Sequence, residues 1–94
     1  MDIEFDPEKR LETLAKRKLD MADAAKVFEG STLSFEDVRE DYGEKRFLTF
    51  GYLETRMVVL CWTPRETTCR IISMRKTNDR ETKTYRGSLG IGTG

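Results

Sequence analysis

The chain is expected to form an α+β domain: an N-terminal helical hairpin, an antiparallel β-meander of three to four strands, and a C-terminal helix. Three observations lead there. Apolar residues recur at helical spacing early in the 94-residue chain and then switch to alternate positions. The segments joining the alternating runs are too short for crossovers, which makes neighbouring strands antiparallel. A capping-box pattern, Asn78-Asp79-Arg80-Glu81, opens one more helix near the end.

Ile3 and Phe5 alternate with Glu4, a short strand signal. Asp6-Pro7-Glu8 supplies an N-cap acceptor, a first-turn proline and an acid at the positive end of the helix dipole. The helix that follows has Leu11, Leu14 and Ala15 as its apolar face and runs to about Arg17. A second helix begins at Asp20, three residues before Asp23, buries Met21, Ala24, Ala25 and Phe28, and stops at Gly30. Thr32 to Phe35 reads as a strand, and Asp37 to Glu44 as a charged loop. Arg46 to Phe50 and Arg56 to Thr63 are strands, Pro64 to Thr67 breaks the chain, and Cys69 to Met74 is a fourth strand. The last helix reaches about Arg86. One domain therefore spans residues 1–86, followed by a flexible tail, 87–94, that is half glycine.

Hydrophobic residues make up 37% and charged residues 36%, a polar but globular composition. Its modest core would gain stability from a tight partner. No apolar run is long enough for a membrane span. The start, Met1-Asp2-Ile3-Glu4, is acidic where a secretion leader would be basic, so the expected address is the cytoplasm. Cys61 and Cys69, eight apart, make no disulfide framework, and without a single histidine they suggest no zinc site. No metal or other cofactor is expected. The net charge of zero hides an asymmetry: residues 1–44 hold an excess of six acids and residues 45–94 an excess of six bases. A basic second half suggests a phosphate-binding surface, unless the charges merely scatter over the folded exterior.

The order of motifs resembles the BrnT family of toxins. Phe5-Asp6-Pro7 with Lys9 is similar to that family's opening, and Ala24-Ala25 with Val27-Phe28 to the end of its second helix. Gly43-Glu44-Lys45-Arg46-Phe47-Leu48-Thr49 resembles its Gly-Glu-x-Arg-aromatic strand entry, and Arg70-Ile71-Ile72-Ser73-Met74-Arg75-Lys76 its Arg-Ile-Ile-Ser-Ala-Arg segment. Arg80-Glu81 and Tyr85 follow at the family's spacing, so the likeness covers about residues 3–86. It implies a RelE-like fold and RNA cleavage that arrests translation. It also implies a cognate antitoxin, often with a ribbon–helix–helix domain, through which alone DNA would be met. One departure stands out. Where the family has Lys-His-Gly after its first helix, this chain has Lys16-Arg17-Lys18. Either a cation substitutes for that histidine in catalysis, or the histidine serves only packing or capping.

The chemistry implied is attack of an RNA 2′-hydroxyl on the adjacent phosphate, which needs no metal. Arginine suits it, because a guanidinium presents a planar fork of donors to phosphate oxygens and stays charged. A two-residue turn at Arg65-Glu66 would set Arg56 directly across from Arg75, with Ser73, Val58, Leu60 and Trp62 on their face. An anion between the two would relieve their repulsion. Arg70 faces the other way in that register, so it lies near an edge or the register slips by one. Arg56, Arg75, Arg70 and Glu81 are the catalytic candidates, with Glu81 as a general base unless its capping position explains it. Arg46, Lys16, Lys18, Trp62, Lys76 and Tyr85 are RNA-binding candidates. Lys16 and Lys18 could equally complement a helix dipole, and Trp62 and Tyr85 could be core. The acidic loop Glu36–Glu44 would repel RNA and is expected to lie away from the active surface. The alternative function is a non-catalytic module that binds nucleic acid or a protein through the same basic face.

Overall fold

A computed structural model describes residues 2–90. The elements are β1 (Ile3–Glu4), α1 (Pro7–Arg17), a 3-10 turn (Met21–Asp23), α2 (Ala24–Glu29), β2 (Thr32–Glu36), β3 (Phe47–Leu53), β4 (Arg56–Pro64), β5 (Cys69–Lys76) and α3 (Asp79–Leu89). The class is α+β, as expected, but the sheet is mixed and five-stranded, in the order β1-β5-β4-β3-β2. The chain thus opens on a strand rather than on a helical hairpin. β1 pairs in parallel with β5, Ile3 opposite Cys69, so the antiparallel meander β2 to β5 is only part of the sheet.

α1 starts as the sequence requires: the Asp6 carboxylate accepts from the Glu8 amide at 2.9 Å, with Pro7 at the first turn. Its expected apolar face is not the buried one. Leu11 is 65% exposed and Leu14 41%, while Thr13 is buried. The helix is held by polar bonds instead. Arg10 grips Asp20 with Nε and Nη2 at 2.8 and 2.9 Å, and Arg17 Nη1 donates to the Met74 carbonyl of β5 at 2.9 Å. β1 covers β5 only at Cys69 and Arg70, which leaves that carbonyl open to α1.

One sheet face meets α2 and the 3-10 turn over Val58, Leu60, Ile71 and Met74, with Met21, Ala24 and Val27 from the helical side. Gly51 is needed for this approach, since a Cβ there would stand 2.8 Å from the buried Val27 Cγ1. The other face packs Phe50, Met57 and Val59 against Leu89, with Tyr85 alongside. That contact corrects the C-terminal boundary. Gly87, Ser88 and Leu89 continue α3, and Leu89 is buried. Burying a leucine outweighs the roughly 1 kcal/mol that a helical glycine costs. Residues 91–94 of the expected tail lie outside the described residues.

The β4–β5 register also differs. The connection is Arg65–Thr68, closed by the Arg65 amide on the Thr68 carbonyl at 2.9 Å, with Pro64 opposite Cys69. Ile72 is then an extra residue, because Trp62 pairs with Ile71 but Cys61 with Ser73. Arg75 therefore lies opposite Val59, not Arg56, which pairs with Leu53 of β3. Ser73 joins Cys61 and Val59 rather than Val58, Leu60 and Trp62. A longer turn and a bulge, both set by tertiary closure, overturn the two-residue turn.

Candidate phosphate-binding site

α3 covers only part of its sheet face. On the uncovered part a cavity of about 220 Å³ opens, with a floor of Leu48, Val59, Cys61 and Ile72. Its polar lining is Lys9, Asp37, Arg39, Tyr42, Arg46, Ser73 and Arg75. The β5 bulge matters here, since both Ile72 and Ser73 reach the cavity.

Each guanidinium is held by a carboxylate. Arg75 Nη1 and Nη2 lie 2.8 and 2.9 Å from the two oxygens of Glu81. Glu81 is itself held by the start of α3: its Oε1 accepts from the Asn78 amide at 2.9 Å, and the Asn78 side chain accepts from the Glu81 amide at 2.8 Å. The capping box thus also orients a pocket arginine. Arg39 Nε and Nη2 each lie 2.7 Å from Asp37, which also accepts from the Tyr42 hydroxyl at 3.1 Å. Arg46 stacks over the Tyr42 ring, 4.2 Å from its centroid, with Nε 3.2 Å from Glu44. Lys9 forms no ion pair among the described residues.

These clamps set the protonation states. The Arg75 guanidinium holds the Glu81 carboxyl down at about 2, against the cost of burying it and with help from the Asn78 amide. Arg39 holds Asp37 at about 2 in the same way, and Arg10 holds Asp20 at about 2. Arg75 and Arg39 are pushed up in turn by their carboxylates. Burial, then the bond to Asp37, raises the Tyr42 phenol, so it stays protonated at neutral pH. Carboxylates depressed on folding stabilise the fold above their ordinary range near 4 and lose that contribution as pH falls toward 2. The melting temperature is therefore expected to hold from neutral pH to about 5 and then fall steadily toward pH 2. Circular dichroism melts across that window check it, and a flat profile refutes the clamps.

Of the residues singled out from sequence, Arg46 and Arg75 meet in this cavity. Lys16 lines a smaller cleft beside it with Arg17, and the two hollows share Lys9 and Ser73. Arg56, Lys18 and Lys76 gather elsewhere, in a cavity of about 370 Å³. Arg70 sits opposite Thr63 toward the β1 edge, Nη1 3.8 Å from Glu4. Trp62 stacks on Phe47 at 5.0 Å, meets Phe28 edge-on and donates to Thr49 Oγ1 at 2.7 Å. Tyr85 packs on Phe50 at 4.2 Å and on Phe35. The expected convergence of Arg46, Arg56, Arg70 and Arg75 is thus corrected: Arg46 and Arg75 share the cavity, Arg70 lies on their sheet face but toward the β1 edge, and Arg56 lies on the opposite face.

The expectation for the acidic loop is corrected too. Asp37, Arg39 and Tyr42 line the cavity, because the Asp37 amide bonds the Arg46 carbonyl at 2.7 Å and folds the loop back over the strand entry. The Asp37 carboxylate pairs with Arg39, and that of Glu44 with Arg46 and Arg65. Sequence reasoning missed Lys9, Arg39 and Tyr42 as site residues. The available signals were a cation inside an acidic run, an Asp-x-Arg pair, and Lys9's place in the opening motif.

Fold and cavity together define a small α+β protein with a cavity on one sheet face lined by Lys9, Arg39, Arg46 and Arg75. A family model matches residues 5–81, and its description is the ribonuclease toxin, BrnT, of type II toxin–antitoxin systems. The chain belongs to the BrnT family. The match runs from Phe5 to Glu81 and so takes in every residue lining the pocket. No curated protein matches the chain. Among the described residues no helix is long and apolar enough to cross a membrane.

Proposed function

We propose that the chain is a metal-independent endoribonuclease toxin that cuts RNA in the Lys9–Arg39–Arg46–Arg75 pocket, arrests translation, and is neutralised by its antitoxin. The observation that carries this reading is the set of four cations around one small cavity, three of them oriented by carboxylates. Preorganised donors of this kind stabilise charge that develops on a phosphorane without reorganising during the reaction. Asp37 is the only carboxylate lining the pocket among the described residues, and Arg39 engages both its oxygens. That donor set suits a phosphate better than a divalent cation, which seeks free carboxylate oxygens.

In the reaction the 2′-hydroxyl gives its proton to solvent water while its oxygen bonds to phosphorus. The bond from phosphorus to the 5′-oxygen breaks, and the leaving oxygen takes a proton from the Lys9 ammonium, which solvent restores. The products are a 2′,3′-cyclic phosphate and a 5′-hydroxyl. Arg75 and Arg46 hold the nonbridging oxygens, and Tyr42 flanks them as a donor. Glu81 is a positioning residue for Arg75: engaged twice and held near 2, it is a weak base at neutral pH. Arg17, in the family's histidine position, is occupied by the Met74 carbonyl and extends the cationic rim with Lys16. The antitoxin is taken to carry a ribbon–helix–helix domain, as the family likeness implies.

Incubation of antitoxin-free protein with single-stranded RNA in EDTA tests the reading. Cleavage to cyclic-phosphate ends is expected at the same rate with and without chelator. Binding without cleavage would favour a non-catalytic RNA-binding module, and loss of cleavage in EDTA would refute metal independence.

A further inference from the structure

A second cationic region lies away from the proposed cleavage pocket. Lys76 opposes Val58 on the α2-facing side of the sheet, whereas its neighbour Arg75 opposes Val59 on the other. Lys76, Arg56 and Lys18 line one cavity of about 370 Å³ over Leu19 and Leu53. Unlike the guanidinium groups of the cleavage pocket, these three cations form no ion pair among the described residues. Among the described residues the Arg56 side chain donates to the Thr77 carbonyl at 3.4 Å and Lys18 Nζ to the Ala15 carbonyl at 3.1 Å. Two acids also line the cavity: Asp23 is engaged by Lys26 at 3.4 Å, and Glu54 leaves the cations in excess.

Backbone strain is concentrated at the same place. Among the described residues the non-glycine residues with positive φ are Lys18, at 59°, and Glu54, at 57°, and both line this cavity. A left-handed conformation disfavours a side chain with a Cβ, and strain of this kind tends to persist where it serves a site. At Lys18 it ends α1 and delivers a cation where glycine would end the helix without strain. An apolar stripe leads there. Leu11, Leu14 and Lys18 recur at three- and four-residue spacing, so the two exposed leucines lie in line with the cavity along α1.

We infer that this stripe and cavity dock an acidic amphipathic helix of the antitoxin, its leucines on Leu11 and Leu14 and its carboxylates on Lys18, Arg56 and Lys76. The inference rests on family membership for the existence of an antitoxin, and not on the cleavage chemistry. Charge complementarity and exposed aliphatic surface select such a partner. No aromatic lines the cavity on which an RNA base could stack. Because the surface lies off the cleavage pocket, docking here anchors the partner independently of the residues that cut RNA.

The test uses the full chain and a fluorescein-labelled amphipathic peptide with Glu on one face and Leu on the other, followed by fluorescence anisotropy beside a labelled single-stranded RNA. Arg56→Gln with Lys76→Gln is expected to weaken peptide binding at least about tenfold, with RNA binding and cleavage unchanged. Leu11→Ser with Leu14→Ser weakens the peptide comparably, and both positions are exposed enough to keep the fold. Lys18→Gly separates function from structure: relief of the left-handed strain raises the melting temperature while the peptide binds more weakly. Arg75→Ala leaves peptide binding intact, so a failed nuclease reading does not mask the result. Unchanged peptide affinity in the charge or leucine variants overturns the inference, as does loss of RNA rather than peptide binding.

Discussion

Arg75→Ala is expected to slow RNA cleavage by about 100- to 1,000-fold, the usual cost of removing one preorganised donor from an anionic transition state. The fold should survive. Arg75 is partly exposed, its pairing with Glu81 is worth no more than about 1 kcal/mol to stability, and Glu81 keeps the Asn78 amide when the arginine is gone. Arg75→Lys is the informative companion, since it retains the charge but loses the two-pronged fit to both carboxylate and phosphate. Its rate should fall between the wild type and the alanine variant. Single-turnover cleavage in EDTA, with melting curves of each variant, measures both quantities. An alanine variant that cuts at the wild-type rate would move the chemistry out of this pocket.

Asp37→Ala should injure stability and cleavage together. The Asp37 side chain is 1% exposed, and it accepts two bonds from the Arg39 guanidinium, one from the Arg39 amide and one from the Tyr42 hydroxyl. Without it the loop loses its anchor, at a cost of about 2 kcal/mol and about 10 °C in melting temperature. Arg39 and Tyr42 lose their orientation, and through Tyr42 so does the stacked Arg46, which should lower cleavage about 10- to 100-fold. Thermal melts and single-turnover rates are again the measurements. If cleavage is untouched in a folded Asp37→Ala chain, the loop is a surface connection and Arg39 has no part in the site.

Much of the architecture was legible from local chemistry. The Asp6-Pro7-Glu8 start, the Asn78–Glu81 capping box and the strands from Thr32 to Lys76 follow from hydrogen-bonding groups and side-chain period within a few residues of one another. The α1 face shows where periodicity misleads. Leu11 and Leu14 mark an amphipathic helix correctly, but the helix is fastened by Arg10 and Arg17, leaving the leucines outward. A hydrophobic stripe records that a surface is to be covered, not whether the same chain covers it.

The site was half legible for a related reason. Arg46 and Arg75 stand out as arginines in strands, whereas Arg39 and Tyr42 sit in a run of acids whose net charge argues against phosphate. Only the fold turns those acids onto the cations and leaves the donors facing the cavity.

By itself, then, the sequence determined the α+β class, the helix starts, the strand segments and the family. Each depends on neighbours along the chain or on residue types in order. The tertiary structure alone decided the parallel β1–β5 pairing, the bulge at Ile72, and which arginines share a pocket. Those outcomes depend on register and closure between distant segments, where one inserted residue sends a side chain to the opposite face of the sheet.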